Sequence, residues 1–177
     1  MAMEGTGILR ITIFAILILL ATTSAYGGEF KTRVPMQDKG VSTYYVKAHI
    51  DGVGATDFMV DTGSGYTTID EHTLATLKAQ GRARYVKDLL GILADGSQTV
   101  VPVYLIPGIV IGGECLVDNV EAAVFPGKTR HILGLSTLRK LSPFVFSMDP
   151  PSLLLSNCSP SSSEALLGMV ERPRETD

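Results

Sequence analysis

Metal chemistry has little to work with in this chain of 177 residues. Cys115, Cys158, His49, His72 and His131 stand far apart and at no ligand-like spacing, so no metal site is expected, and each histidine reads as a surface or packing residue. Basic charge is equally scarce. The formal net charge is −3, and no Lys/Arg cluster or stacked aromatic pattern appears, which excludes the electrostatic footprint of a nucleic-acid binder. Long hydrophobic runs are missing too, because the apolar stretch 11–21 falls short of the roughly 20 residues that cross a bilayer comfortably. What the chain does have is 45% hydrophobic content, enough at this length for one compact domain.

The ends of the chain differ from its middle. Arg10 precedes the run 11–21, and Thr22-Thr23-Ser24-Ala25 forms a small-residue exit that resembles a signal-peptidase site after Ala25. Residues 1–25 are therefore expected to direct export to a periplasmic or secreted location. The alternative is an uncleaved segment, in which residues 8–25 tether the protein to a membrane. Residues 26–40 read as a linker. Residues 157–177, rich in Ser, Pro and charge, read as a flexible tail, with Ser161 and Glu164 at capping-box spacing before Ala165. In an exported protein Cys115 and Cys158 could pair, and two free thiols fit as well.

Between these ends, residues 41–156 read as mostly β. Segments 44–50 and 56–60 flank Asp51-Gly52-Val53-Gly54 as a hairpin, and Asp70 can cap a short helix that stops at Gly81. Ile92-Leu93-Ala94 and Thr99-Val100-Val101 flank Asp95-Gly96, a strong hairpin signal. Segments 103–111 and 116–124 read as further strands around Gly112-Gly113. A last hairpin turns at Asp149-Pro150-Pro151.

The chemistry concentrates at Asp61-Thr62-Gly63-Ser64. This tight turn follows the apolar run Phe58-Met59-Val60 and precedes Thr67-Thr68-Ile69, so a carboxylate is held between two strand-like segments. Gly63 permits the chain to turn behind the carboxylate, and Thr62 and Ser64 offer hydroxyls to fix the turn. An ordinary strand-end turn would have the same local residues. The flanks and a second motif separate the two readings. The segment resembles the active-site loop of the retropepsin-like aspartic proteases. It is followed, some seventy residues on, by Ile132-Leu133-Gly134 opening a short helical stretch, as in that family.

The resemblance implies a single-domain acid-protease β-barrel with one or two short helices. It also implies an aspartic endopeptidase that hydrolyses polypeptides without a cofactor. Asp61 is then the catalytic acid, supported by Thr62, Gly63 and Ser64. Ser64 would either donate to the Asp61 carboxylate and favour activity in acid or simply stabilise the turn. Ala94, Asp95, Gly96 and Ser97 would form the tip of a flap over the substrate, and Ile132, Leu133 and Gly134 would pack beneath the loop. The chain is too short for two lobes and contains no second Asp-Thr-Gly, so the partner acid must come from another copy in a two-fold homodimer. Thr62 would brace the two loops across the dimer axis. Two other readings stay open: a catalytically silent peptide-binding or assembly module, and a membrane-tethered scaffold.

Overall fold

The computed structural model describes residues 30–92 and 95–161. The proposed export segment, Ala94 and the distal tail lie outside these residues. The first long strands are β3 (Tyr44–Ile50) and β4 (Gly54–Val60), after two short ones, β1 (Thr32–Pro35) and β2 (Gln37–Asp38). In β3, Val46, Ala48 and Ile50 are buried while Lys47 and His49 are exposed, the alternation of a strand with one face on a core. Gly52 and Gly54 take positive φ of 86° and 112° in the hairpin turn, a region that residues with a Cβ rarely enter.

β4 runs into Asp61, and the chain returns as β5 (Thr67–Asp70), whose Thr67, Thr68 and Ile69 are all buried. Helix α1 (Glu71–Ala79) follows. Asp70 caps it by accepting from the Thr73 amide at 2.7 Å, and Leu74 and Leu77 face the core. Then come β6 (Arg84–Ile92), β7 (Gln98–Ile111), β8 (Cys115–Phe125) and β9 (His131–Leu133). A short helix α2 (Leu135–Leu138) continues as a 3-10 turn, Arg139–Leu141, before β10 (Phe144–Met148), β11 (Pro151–Leu155) and β12 (Ser159–Pro160).

Strands β3, β4, β9, β5, β8 and β7 close into a barrel through the β7–β8 pairing. The insertion of β9 between β4 and β5 matters most for function. It pairs parallel with β4, Met59 opposite Ile132 and Val60 opposite Leu133, and touches β5 at Thr68 opposite Ile132. Phe58, Ile69, Ile106, Ile109 and Leu133 fill the interior and are essentially inaccessible to solvent. At roughly 1.5–3 kcal/mol for each large side chain, this core is the main source of stability.

β7 pairs with strands on both sides within one sheet. Its C-terminal half lies in the barrel, while its N-terminal part leaves the wall to pair with β6, Leu90 opposite Val100 and Ile92 opposite Gln98. The segments read as separate strands at 99–101 and 103–111 are thus one strand. A bulge at Tyr85/Lys87 marks a register shift in the projecting hairpin. Its inner face packs Val101 and Val103 against Ala123, with Leu89 and Phe125 alongside.

Both boundary readings need correction where the structure describes them. Within the stretch read as a linker, β1 pairs antiparallel with β11, which also pairs with β10 to form a second small sheet. Val34 and Met36 are buried there on alternate positions, and Val34 rests on the Gly112 turn. Pro35 and the brevity of the run hid that alternation. In the stretch read as tail, Cys158 is bonded to Cys115, and Ser159 and Pro160 pair with Leu116 and Cys115. The bond carries the chain after β11 back onto the barrel wall.

Candidate active site

Asp61 leaves the end of β4 with its amide donating to the Leu133 carbonyl at 3.2 Å. The turn closes behind it: the Gly63 amide donates to Asp61 Oδ1 at 2.8 Å and the Ser64 amide to the Asp61 carbonyl at 3.3 Å. Among the described residues the Gly63 amide is the only partner of the Asp61 carboxylate, leaving acceptor capacity for water or substrate. Asp61 is half-buried, and Thr62 and Gly63 are exposed. The backbone thus fixes the orientation of the carboxylate.

Of the two roles open to Ser64, the structure shows turn stabilisation. Ser64 Oγ donates to the Tyr66 carbonyl at 2.7 Å, not to Asp61. The hydroxyl completes its hydrogen bond two residues ahead, within its own turn, as serine commonly does. It thereby stabilises the loop without touching the acid.

The stretch after β9 holds the loop from below. Leu135 and Ser136 amides donate to the Ser64 and Gly65 carbonyls at 2.9 and 3.1 Å. Ser136 Oγ accepts from the Thr67 amide at 2.8 Å and donates to the Glu121 carbonyl at 2.9 Å, while Thr67 and Thr137 hydroxyls meet at 2.6 Å in the interior. Leaving such buried groups unpaired would cost about 1–3 kcal/mol each, so the lattice resists local opening. Leu133 and Gly134 lie against the loop. Ile132 instead lines the cleft beside Asp61.

That cleft has a volume of about 1000 Å³. Asp61, Gly63 and Ser64 form its floor with Thr68, and its walls include Met59 and Ile132 from the paired strands β4 and β9. Ile92 from the projecting hairpin and Phe125 from β8 complete the apolar part. Lys128, Thr129 and Arg130, on the loop between β8 and β9, add polarity. Sequence reasoning missed these wall residues. It read Pro126-Gly127 only as a turn, and nothing local tells a turn that its neighbours face a distant carboxylate.

Asp95 stands apart from the cleft lining. Its Oδ1 accepts from the Ser97 hydroxyl and amide at 2.6 and 2.9 Å, and these bonds hold its carboxyl below the usual carboxylate range. Gly96 takes a φ of 81° at the turn. A smaller hollow of about 490 Å³, edged by His49, Asp51 and Asp118, shares no residue with the Asp61 cleft.

Behind the cleft wall, His131 is sandwiched on Phe58, ring centroids 5.2 Å apart. Its Nδ1 meets Thr56 Oγ1 at 2.8 Å and its Nε2 meets Thr73 Oγ1 at 3.1 Å, with Asp70 Oδ1 3.7 Å from Nε2. Burial lowers its pKa, and the Asp70 carboxylate opposes that only in part. Burial also works to raise the pKa of Asp70, yet hydrogen bonds from Thr73 and the nearby His131 and His72 leave it lowered. His131 ties β9 to β4 and to α1 as a neutral ring, consistent with its reading as a packing residue.

The molecule is a barrel with an Asp-Thr-Gly turn at a strand end, braced by a Gly-led helical turn and overhung by a hairpin. The family model described as gag-polyprotein putative aspartyl protease matches residues 46–140, more than half of the chain. The chain belongs to the retropepsin-like aspartic protease family. A retropepsin-like aspartic protease from Rickettsia conorii has a crystal structure similar to this one, with a TM-score of 0.52. The two share 20% sequence identity over 73% of this chain and 92% of that one, a likeness that speaks for the fold. No curated protein matches the chain. The matched span 46–140 of this retropepsin-like chain contains Asp61, the hairpin and the bracing segment. It includes no strand of the β1–β11–β10 sheet.

Proposed function

We propose that this retropepsin-like chain is an aspartic endopeptidase that acts on polypeptides as a two-fold homodimer. The observation that carries the reading is Asp61 itself: a carboxylate held by a backbone amide, at the floor of a cleft large enough for an extended peptide. Within the described lining Asp61 is the only acid. Two-carboxylate hydrolysis needs a second one close by, and a symmetric dimer supplies it as the same residue from the other copy.

In that arrangement the two carboxylates share one proton, because two like charges at such range cannot both ionise. The ionised Asp61 takes a proton from water as the water oxygen attacks the scissile carbonyl carbon. The protonated Asp61 gives its proton to the carbonyl oxygen. A neutral tetrahedral diol results. Its collapse returns a proton to an aspartate, delivers one to the leaving nitrogen, and breaks the carbon–nitrogen bond. Thr62, exposed beside Asp61, is suited to brace the paired loops, and the hairpin carrying Asp95, Gly96 and Ser97 is suited to cover the bound peptide.

The test is peptide cleavage by the purified chain against an Asp61→Asn control. Asparagine keeps the shape of the side chain and removes the shared proton, so cleavage should vanish while fold and dimer persist. Wild-type rates in that variant would remove Asp61 from the mechanism.

We further infer that the protein works outside the cytoplasm. The Cys115–Cys158 bond supports this, since such bonds persist mainly in oxidising compartments. N-terminal sequencing of the mature protein should find a start near Tyr26, and Met1 on a soluble cytoplasmic chain would contradict it.

A further inference from the structure

We propose that the Asp61 cleft selects peptides with an acidic side chain close to the bond to be cut, and that Arg130 and Lys128 read that charge. The identity of the cut bond rests on the protease reading above. The recognition rests on the cleft's own chemistry.

The chain as a whole is acidic, with 18 Asp and Glu against 15 Lys and Arg. Its cleft has the opposite bias. Apart from Asp61, the charged residues of the lining are Lys128 and Arg130, both exposed. Among the described residues, Lys39, Lys47, Arg82, Lys87 and His131 each have a carboxylate partner. Lys128 and Arg130 have none there, and neither do Lys31, Arg33, Lys78, Arg84, Arg139 and Lys140; what sets Lys128 and Arg130 apart is that they line the Asp61 cleft. A pair of unneutralised cations facing a cleft is a complementary surface for a carboxylate, and a guanidinium can take it in bidentate fashion.

Position narrows the proposal to the neighbourhood of the reacting bond. Arg130 Nη1 lies 3.7 Å from Met59 Sδ, an uncharged and weak acceptor that places the guanidinium without neutralising it. Met59 precedes Asp61 by two residues of extended chain, about 6–7 Å. An extended substrate advances about 3.4 Å per residue, so the Met59 position that Arg130 contacts lies about two substrate residues along the cleft from Asp61, and the cation faces a neighbouring subsite.

The loop that bears the cations is anchored at both ends. Glu71 Oε2 accepts from the Gly127 amide at 2.8 Å, and His131 is pinned by Thr56 and Thr73. The apolar remainder, Met59, Ile92, Phe125 and Ile132, suits apolar side chains on either side of the acidic one. In a two-fold dimer the second copy repeats the cations across the cut bond.

The experiment uses the full chain and peptide pairs identical except for Glu or Gln near the cleaved bond. Affinity is measured on the Asp61→Asn variant and turnover on the Asp61 protein, at about pH 6, where a glutamate is ionised. The Glu peptide should bind about five- to tenfold more tightly at low salt, with a gap that narrows as salt rises. Arg130→Gln combined with Lys128→Gln should close the gap, and Arg130→Glu should turn the preference toward Lys peptides. Equal binding of the pair, absence of binding, or a gap that survives removal of both cations would overturn the proposal. A Glu preference in binding without any cleavage would sink the protease reading and leave this one standing. Cleavage without a Glu preference would do the reverse.

Discussion

A Cβ added to Gly134 would stand 2.2 Å from the carbonyl oxygen of Tyr66 and 2.9 Å from that of Ser64. The φ of Gly134 is an ordinary −97°, so close approach of two backbones, not conformational freedom, is what requires glycine here. That contact brings the N-terminus of α2 against the Asp61 loop. Gly134→Ala should therefore destabilise the fold by about 2–3 kcal/mol, since both obstructing atoms are backbone and cannot rotate away. Thermal melts read this directly, and an unchanged midpoint would mean that the two segments are not packed as described.

On the proposed mechanism, a cleft with one acid in its described lining needs a second chain. Specific activity should fall on dilution through the dimer dissociation range. Excess Asp61→Asn should also suppress a fixed amount of wild type, because mixed dimers carry a single competent carboxylate. Constant specific activity from chains shown by sedimentation to be monomeric would require a second acid within one chain.

Ser64 separates loop support from acid tuning. Its hydroxyl bonds to the Tyr66 carbonyl and not to Asp61, so Ser64→Ala should lower stability by about 1 kcal/mol and leave the shape of the pH–rate profile in place. An acid-limb shift of the profile, with stability unaltered, would restore the direct contact with Asp61 that the sequence left open.

His131 predicts a stability cost in acid. Its folded pKa is depressed by burial below the unfolded value of 6.5, so the unfolded chain binds the extra proton first. The neutral ring's contribution is complete above about pH 6.5 and is lost as pH falls from there toward the depressed folded value. The surrounding groups temper this effect: Asp70 attracts the imidazolium, while the hydroxyls of Thr56 and Thr73 carry no charge. Asp70, lowered in the fold, contributes stability above its ordinary 3.8 that goes only at still lower pH. The melting midpoint of wild type should drop between about pH 7 and pH 5. His131→Gln should be less stable at neutral pH and flatter across that window. Equal slopes for both would exclude His131 as the source.

What the sequence by itself determined was local. Asp61-Thr62-Gly63 could be read as a functional turn because a carboxylate, a glycine and flanking apolar runs act within a few bonds of one another. The turns at Gly52, Asp95-Gly96 and Asp149-Pro150 were legible for the same reason, as was the Asp70 cap of α1. Tertiary structure decided everything that depends on registration between distant segments. Three residues of β9, too short for a clear period, lie between β4 and β5 and set Ile132 into the cleft, where sequence order had placed it beneath the loop. Ser64 had two acceptors within reach, and only the path of the backbone toward Tyr66 chose between them. Cys115 and Cys158 left pairing open until β8 and the chain after β11 came together. Lys128 and Arg130 looked like any charged turn residues. They became the charge of the cleft because β9 carries that loop to the side of Asp61, a placement enforced by burial of Leu133 and Ile69 in a core built from the whole domain.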